Sequence, residues 1–442
     1  HRDLERSVRR MRLICIRDSP DADSWLKTTE GAVDEAVSVI TDLYAYCEQG
    51  ATDSYSPSER STLAESLNKL RDAYYAEGDV EYAGRYLFSG YMTDTPLTYQ
   101  SDETAAKADF TITQEFTREN IELKTVYTNA YSNDDILNLN VKTDAATGNV
   151  ITPNVADVHR VRIGYTKVSD AGTFEIKLND GTTIAAAAVN DSNYQPGDDE
   201  AAFNAATGEI LLGENVYKQL YASDGFSFTY RKDNFAKGDL NPVMYYDCVD
   251  NNPDNAGVVY TKKTEDIEYN INFSQKLKVN TEANEVFNMY LGRDIDDLIT
   301  SVNNVIDIEA QLEKVEGMLK QDIYSDKDSQ SKLNSIKEGL TKQNELAKEE
   351  MKNRFEYCVG TMQGYQEQAS LAKADAGNRM TRLNLTKSRL TEQKTNFTNL
   401  KSENEDIDLE EVVVGYSAAQ LVYNASLTAA SKVIQQTLLD FL

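Results

Sequence analysis

The apolar positions of this chain change period twice, and the zones they mark outline its architecture. From Asp21 to Ala83, Trp25, Leu26, Val33, Val37, Ile40 and Leu43 fall near one face of a helix. The stretch from Gln49 to Glu59 gathers Gly, Ser, Asp and Pro, as an inter-helix turn does. Ser58 then stands as N-cap of a second helix carrying Leu63, Leu67 and Leu70, which predicts an antiparallel helical hairpin. Between Tyr86 and Val279 the period falls to two. Phe174, Ile176 and Leu178 run into Asn179-Asp180-Gly181 and return through Thr183 and Ile184, a hairpin whose turn needs positive φ. Phe226, Phe228 and Tyr230 alternate in the same way, as do Ile267, Tyr269, Ile271 and Phe273.

From Asn284 the helical period comes back. Leu291, Ile295, Leu298 and Ile299 lead into Val305, Ile308 and Leu312. Met380, Leu383, Leu390, Phe397 and Leu400 then form a heptad-like seam. After an acidic interruption from Glu403 to Asp408, Tyr416, Tyr423, Leu427, Ala430, Ile434, Leu438 and Phe441 share one stripe. Leu439 and Leu442 sit beside it in the closing QTLLDFL. A helix apolar to its last residue finds its partner outside its own fold, which makes this stripe the contact surface of a polymer subunit. Tyr416, Tyr423, Leu427, Ile434, Leu438, Leu439, Phe441 and Leu442 are its candidate interface residues, expected to be exposed in an isolated subunit.

The predicted fold class is α+β, an elongated helical bundle or coiled-coil rod built from both chain ends with an inserted β-rich domain. Its divisions are a basic start (1–20), the helical hairpin with the Gly- and Tyr-rich segment after it (21–100), the β-rich insertion (101–280), the returning rod helices (281–402) and a terminal inner helix (403–442). The hairpin is expected to pack on the helices between Glu285 and Leu400, with the sheet projecting from one end.

Composition narrows the function. A formal net charge of −28 over 442 residues argues against nucleic-acid partners, since no basic excess exists to neutralise phosphates. Only 7 prolines suit long uninterrupted helices. Cys15, Cys47, Cys248 and Cys358 form no CxxC pair and read as scattered free thiols. No apolar run approaches the roughly 18 residues of a membrane helix, and the charged start does not resemble a signal peptide.

The catalytic inventory is thin. Of the two histidines, His1 and His159, the second lies in a strand-like run beside Arg160 and reads as a sheet residue. No G-x-S-x-G, HExxH or P-loop sequence occurs. Asp250, Asn252 and Asp254 have the spacing of a calcium loop's start, but Asn255 and Thr261 stand where Gly and the bidentate Glu belong, so an acidic turn is the reading. No enzyme, metal or cofactor is expected.

GRYLFSGYMTDTPLTY (Gly84 to Tyr99) is similar to the sequence that comes after the N-terminal helices of the hook–filament junction proteins (hook-associated protein 3) in the bacterial flagellin superfamily. SWLKTTEGAVDE (Ser24 to Glu35) matches the superfamily's second helix. The tail from Gly377 through YNASLTAASKVIQQTLLDFL resembles the C-terminal region that flagellins and junction proteins share. NPVMYYDC (Asn241 to Cys248) looks like the junction proteins rather than flagellin. The resemblance implies an extracellular, non-enzymatic subunit, exported unfolded through the flagellar type III channel. Its partners would be copies of itself, hook-associated protein 1, flagellin and an export chaperone. Gly84, Arg85, Tyr86, Gly90, Tyr91 and Pro96 carry the junction-protein signature. The family's first helix is not recognised here; an Arg-rich run from His1 to Pro20 stands in its place, as in a fragment or a divergent start. The alternatives are flagellin itself, or a rod-mounted adhesin-like module that binds surfaces. Gly84 is expected to end the second helix in a left-handed cap, with two of Tyr86, Phe88 and Tyr91 packed on the rod and the third free for a neighbour.

Overall fold

The computed structural model describes residues 2–52, 55–255, 257–272, 275–405 and 408–436, with the side chains of 2–19 and 433–436 excepted. Two long N-terminal helices, α1 (Arg2–Gly50) and α2 (Pro57–Ala76), precede a small hairpin, β1 (Glu81–Tyr82) and β2 (Arg85–Tyr86). The insertion begins with α3 (Asp102–Ala105), β3 (Phe110–Phe116), β4 (Ile121–Thr128), α4 (Asn133–Leu137), β5 (Asn154–Arg162), β6 (Phe174–Leu178) and β7 (Thr183–Ala188). It continues through β8 (Ala201–Asn204), β9 (Glu209–Leu212), α5 (Glu214–Ala222), β10 (Phe226–Lys232), β11 (Asp247–Asp250), β12 (Val259–Tyr260), β13 (Glu268–Asn272) and β14 (Gln275–Lys278). The helical return comprises α6 (Ala283–Val286), α7 (Met289–Leu319), α8 (Lys327–Glu405) and α9 (Leu409–Gln436).

The rod is built from sequence-distant helices. On α1, Trp25, Val33, Ala36, Ile40, Leu43 and Cys47 are buried at helical spacing. They face a stripe of α8 made by Phe355, Cys358, Met362, Ala369, Ala376 and Leu383. The two helices run antiparallel: Gln366 donates to the Thr41 hydroxyl at 2.8 Å, and Lys373 pairs with Asp34. Gly50 ends α1 against the Phe355 ring, where a Cβ would lie 2.2 Å from Cε1, so no larger residue fits without displacing that ring. The cap of α2 is Ser56 rather than Ser58. Pro57 takes the first helical position, where its missing N–H costs nothing, and Ser56 and Glu59 form a reciprocal capping box. Arg60 of α2 grips Glu309 of α7 through two hydrogen bonds at 3.0 and 2.9 Å.

Ten strands form the main sheet in the order β12-β11-β3-β10-β6-β7-β8-β9-β5-β4, antiparallel except for β7 beside β8. Alternation decides the faces: Phe110, Ile112 and Phe116 of β3, Phe226, Phe228 and Tyr230 of β10, and Phe174, Ile176 and Leu178 of β6 all point into one core. The β6–β7 turn places Gly181 at φ +91°, where a side chain would be strained. β13 and β14 make a separate two-stranded ribbon that contacts α1 and α8; Phe273, expected in this run, lies outside the described residues.

Gly84 does have positive φ (+73°), but it does not cap a helix. Helix α2 stops at Ala76 with Glu77 in ordinary right-handed conformation, and Ala83 and Gly84, at φ +53° and +73°, are the two central residues of the β1–β2 turn. The register Tyr82↔Arg85 leaves room for two left-handed residues only. Gly84→Ala is therefore expected to cost about 1 kcal/mol in urea unfolding, from backbone strain alone, because nothing lies within 4 Å of the added Cβ.

Candidate assembly surface

Every described side chain of α9 from Leu409 to Lys432 is exposed. Tyr416, Tyr423 and Leu427 of the predicted stripe are 68%, 65% and 52% exposed. Ile434 lies on the α9 backbone, while Leu438, Leu439, Phe441 and Leu442 lie outside the described residues. The structure adds a second apolar patch that the stripe did not include. Val412, Val413, Val414, Leu421 and Val422 are also exposed, and the signal for them was the unbroken VVV after an acidic first turn. The last stretch of α8 behaves alike. Leu383 is fully buried and Leu390 partly so, but from Thr391 to Glu405 all side chains are exposed, including Phe397 and Leu400 of the heptad-like seam.

The signature residues gather where the insertion leaves the rod. The Arg85 guanidinium lies 4.9 Å over the Trp25 ring and donates to the Tyr269 hydroxyl at 3.1 Å. Phe88 is buried edge-on against Phe287, with centroids 5.0 Å apart. Tyr86 and Pro96 are half-buried, and Tyr91 is half-exposed. Gly90, at φ +61°, turns the chain beside the Glu282 side chain. Tyr74, Tyr75 and Tyr245 complete the joint by donating to the backbone carbonyls of Val286, Asn288 and Phe287 at the start of α7.

A buried ionic network, not foreseen from the sequence, fastens the sheet to the rod. Arg160 of β5 meets Glu209 at 2.6 Å, Asp297 of α7 at 2.5 Å and Glu122 of β4 at 3.2 Å. Arg162, two residues on and on the same strand face, meets Glu122 at 2.7 Å and Asp294 at 2.8 Å. Burial disfavours the Asp297 carboxylate, but Arg160, Arg162, Arg354 and Arg293 outweigh it and hold the group well below the usual range. Asp294 goes the other way: burial raises it, and Arg162 and the Tyr365 hydroxyl only partly compensate. The available signal was the alternation in HRVRIG, which puts two arginines on one face of a strand. A cleft of about 1210 Å³ runs beside this network between sheet and rod, and charged side chains paired with one another form much of its wall.

Burial pushes the Cys47 and Cys248 thiols up to about 12, which removes the thiolate a nucleophile needs. His159 stacks on Tyr217 with centroids 3.5 Å apart, and burial lowers its pKa. Asp250 and Asn252 spend a side-chain oxygen each on the backbone N–H two residues on, as nested turns do. Among the described residues no group of three or more acidic, His or Cys side chains could hold a metal ion, and no helix is long and apolar enough to cross a membrane.

The fold and its exposed terminal helix define a structural class: an α+β rod closed by both chain ends, carrying an inserted sheet domain and an unpartnered apolar surface. Residues 3–93 match the family model of the bacterial flagellin N-terminal helical region. The matched segment takes in most of the basic start, residues 1–20. No curated protein matches the chain. Among solved structures, FlgL of Xanthomonas campestris is similar at 12% identity and a TM-score of 0.35, over 90% of this chain and 99% of that one. The flagellar hook-associated protein-3 of Legionella pneumophila is similar at 12% identity and a TM-score of 0.33, over 92% and 99%. FliC of Burkholderia pseudomallei gives a TM-score of 0.15 at 12% identity, over 78% and 99%.

Proposed function

We propose that this chain is a structural subunit of the bacterial flagellum, seated at the junction between hook-associated protein 1 and the flagellin filament. The observation that carries the reading is the flagellin N-terminal helical match over residues 3–93, joined to an α9 whose described apolar side chains are all exposed. A free-standing apolar helix gains nothing from water; packed into a tube of like helices, it buries those side chains at about 25 cal/mol per Å² of apolar surface. The junction-type signature around Trp25 and Phe287 favours the junction over the filament body. The same reading supplies the partners: neighbouring copies in a ring, hook-associated protein 1 on one side and flagellin on the other. An export chaperone would cover α9 before assembly, and the type III channel would deliver the chain outside the cell. The role is mechanical, with no catalytic step.

Immunogold labelling of intact flagella tests the placement. Label confined to one point at the hook–filament boundary is the expected result. Label along the whole filament would make the chain a flagellin, and label absent from flagella would sink both readings.

A further inference from the structure

Charge is distributed along the rod with opposite signs at different heights. Residues 21–83 hold fourteen acidic and four basic side chains, whereas residues 373–401 of α8 hold seven basic and two acidic ones. On α8, Lys387, Lys394 and Lys401 recur every seven residues and so lie along one line, flanked by Leu390 and Phe397. All three lysines are exposed, and Phe397 is 65% exposed. Lys387 has a loose pairing with Asp23 at 3.8 Å and Lys401 pairs with Glu405 at 3.4 Å; Lys394 has no ion pair among the described residues. The start of α1 is itself net basic in sequence, with Arg2, Arg6, Arg9, Arg10, Arg12 and Arg17 against Asp3, Glu5 and Asp18.

The outward face of α1 presents the complement. Glu35, Val39, Asp42 and Tyr46 succeed one another at steps of four, three and four, and so form a single narrow stripe. Both acids are exposed without an ion pair among the described residues, and Val39 and Tyr46 are only partly buried. Glu35 also faces a like charge: Glu77 has its pKa raised by burial and then by Glu35. The spacing of Glu35 and Asp42 equals that of the lysines, about 10 Å at ~1.5 Å per residue.

We propose that the Lys387–Lys394–Lys401 line of one copy, with Leu390 and Phe397, docks on the Glu35–Val39–Asp42–Tyr46 stripe of a second copy. The two stripes cannot meet within one chain. Thr41 lies opposite Gln366, so the lysine line sits about 40 Å further along α8. The contact therefore joins copies staggered by that distance along the rod. Apolar centres flanked by opposite charges give register and partner choice, as the flanking positions of coiled coils do. The contact rests on the reading of this chain as a self-assembling subunit.

The test uses the full chain and two charge-reversed forms, Lys394→Glu with Lys401→Glu and Glu35→Lys with Asp42→Lys. All substituted residues are exposed, and circular dichroism melting confirms that each form is folded. Sedimentation at low salt should show each reversed form self-associating about tenfold or more weakly than the original chain. An equimolar mixture of the two forms should recover association, because each supplies the charge that the other's stripe now wants. Association of the original chain that is unaffected by either reversal, or that mixing does not restore, overturns this contact while leaving the assembly reading intact. An original chain that stays monomeric at every concentration and salt would remove the self-assembly reading itself, and this contact with it.

Discussion

Replacing Arg160 with alanine destabilises the folded chain by about 3–5 kcal/mol, the expected cost of removing one partner from a buried ionic network. The Arg160 side chain is 2% exposed and touches three carboxylates from three elements: Glu122 of β4, Glu209 of β9 and Asp297 of α7. Without the guanidinium, Glu209 keeps Lys124 at 2.7 Å and Asp297 keeps Arg162 at 3.4 Å, but both lose their shortest cationic contact. The pH dependence has a definite sign. Asp297 and Glu209 are both held below the usual carboxylate range despite burial, so their contribution is present in full above about pH 4, where the unfolded carboxylates titrate, and is lost as the pH falls below that toward the depressed folded values. The stability gap between the original chain and Arg160→Ala should then be widest near neutrality and shrink in acid. Urea unfolding at pH 7 and at about pH 2.5 measures it. A loss under about 1 kcal/mol at pH 7 would mean that the sheet is held to the rod by apolar packing alone.

Deleting residues 409–442 should have the opposite profile, with little effect on stability and a complete effect on assembly. All described side chains of α9 to Lys432 are exposed, so their removal takes no described packing from the rod or the sheet. The melting temperature of the remaining chain is expected to move by no more than about 2 °C, while, on the junction role proposed above, cells carrying only the deleted form are expected to shed unattached flagellin into the medium. A melting temperature lowered by about 10 °C or more would instead place α9 in the core of the subunit.

The sequence made the rod and the alternating strands legible because period is a local property. Trp25 to Leu43, Phe174 to Leu178 and Phe226 to Tyr230 each declare their faces within a few residues. Cap and turn details were less secure. Ser56 and Ser58 offer the same hydroxyl, and only the position of Pro57 separates them; Gly84 promises positive φ without saying which element turns there. The ionic network was invisible for a different reason. Arg160, Glu209 and Asp297 are far apart in the chain, and single charges in an acidic sequence look solvated until the sheet is laid on α7. The terminal surface was half legible: the Tyr416–Leu427 stripe stood out by spacing, but exposure on every side of α9 is a tertiary fact.

Pairing α1 with α8 also has a kinetic consequence. The hydrogen bond from Gln366 to Thr41 spans 325 residues, and the Lys373–Asp34 pair spans 339. Trp25, Ile40 and Leu43 cannot find their native cover until the last third of the chain has arrived, so rod closure is a late step of folding. Strand pairs such as β6–β7 are far more local, which lets the insertion order first and draw the two arms of the rod together. Refolding followed by tryptophan fluorescence should therefore show a slow phase, because Trp25, fully buried on α1, completes its cover only when the two arms close.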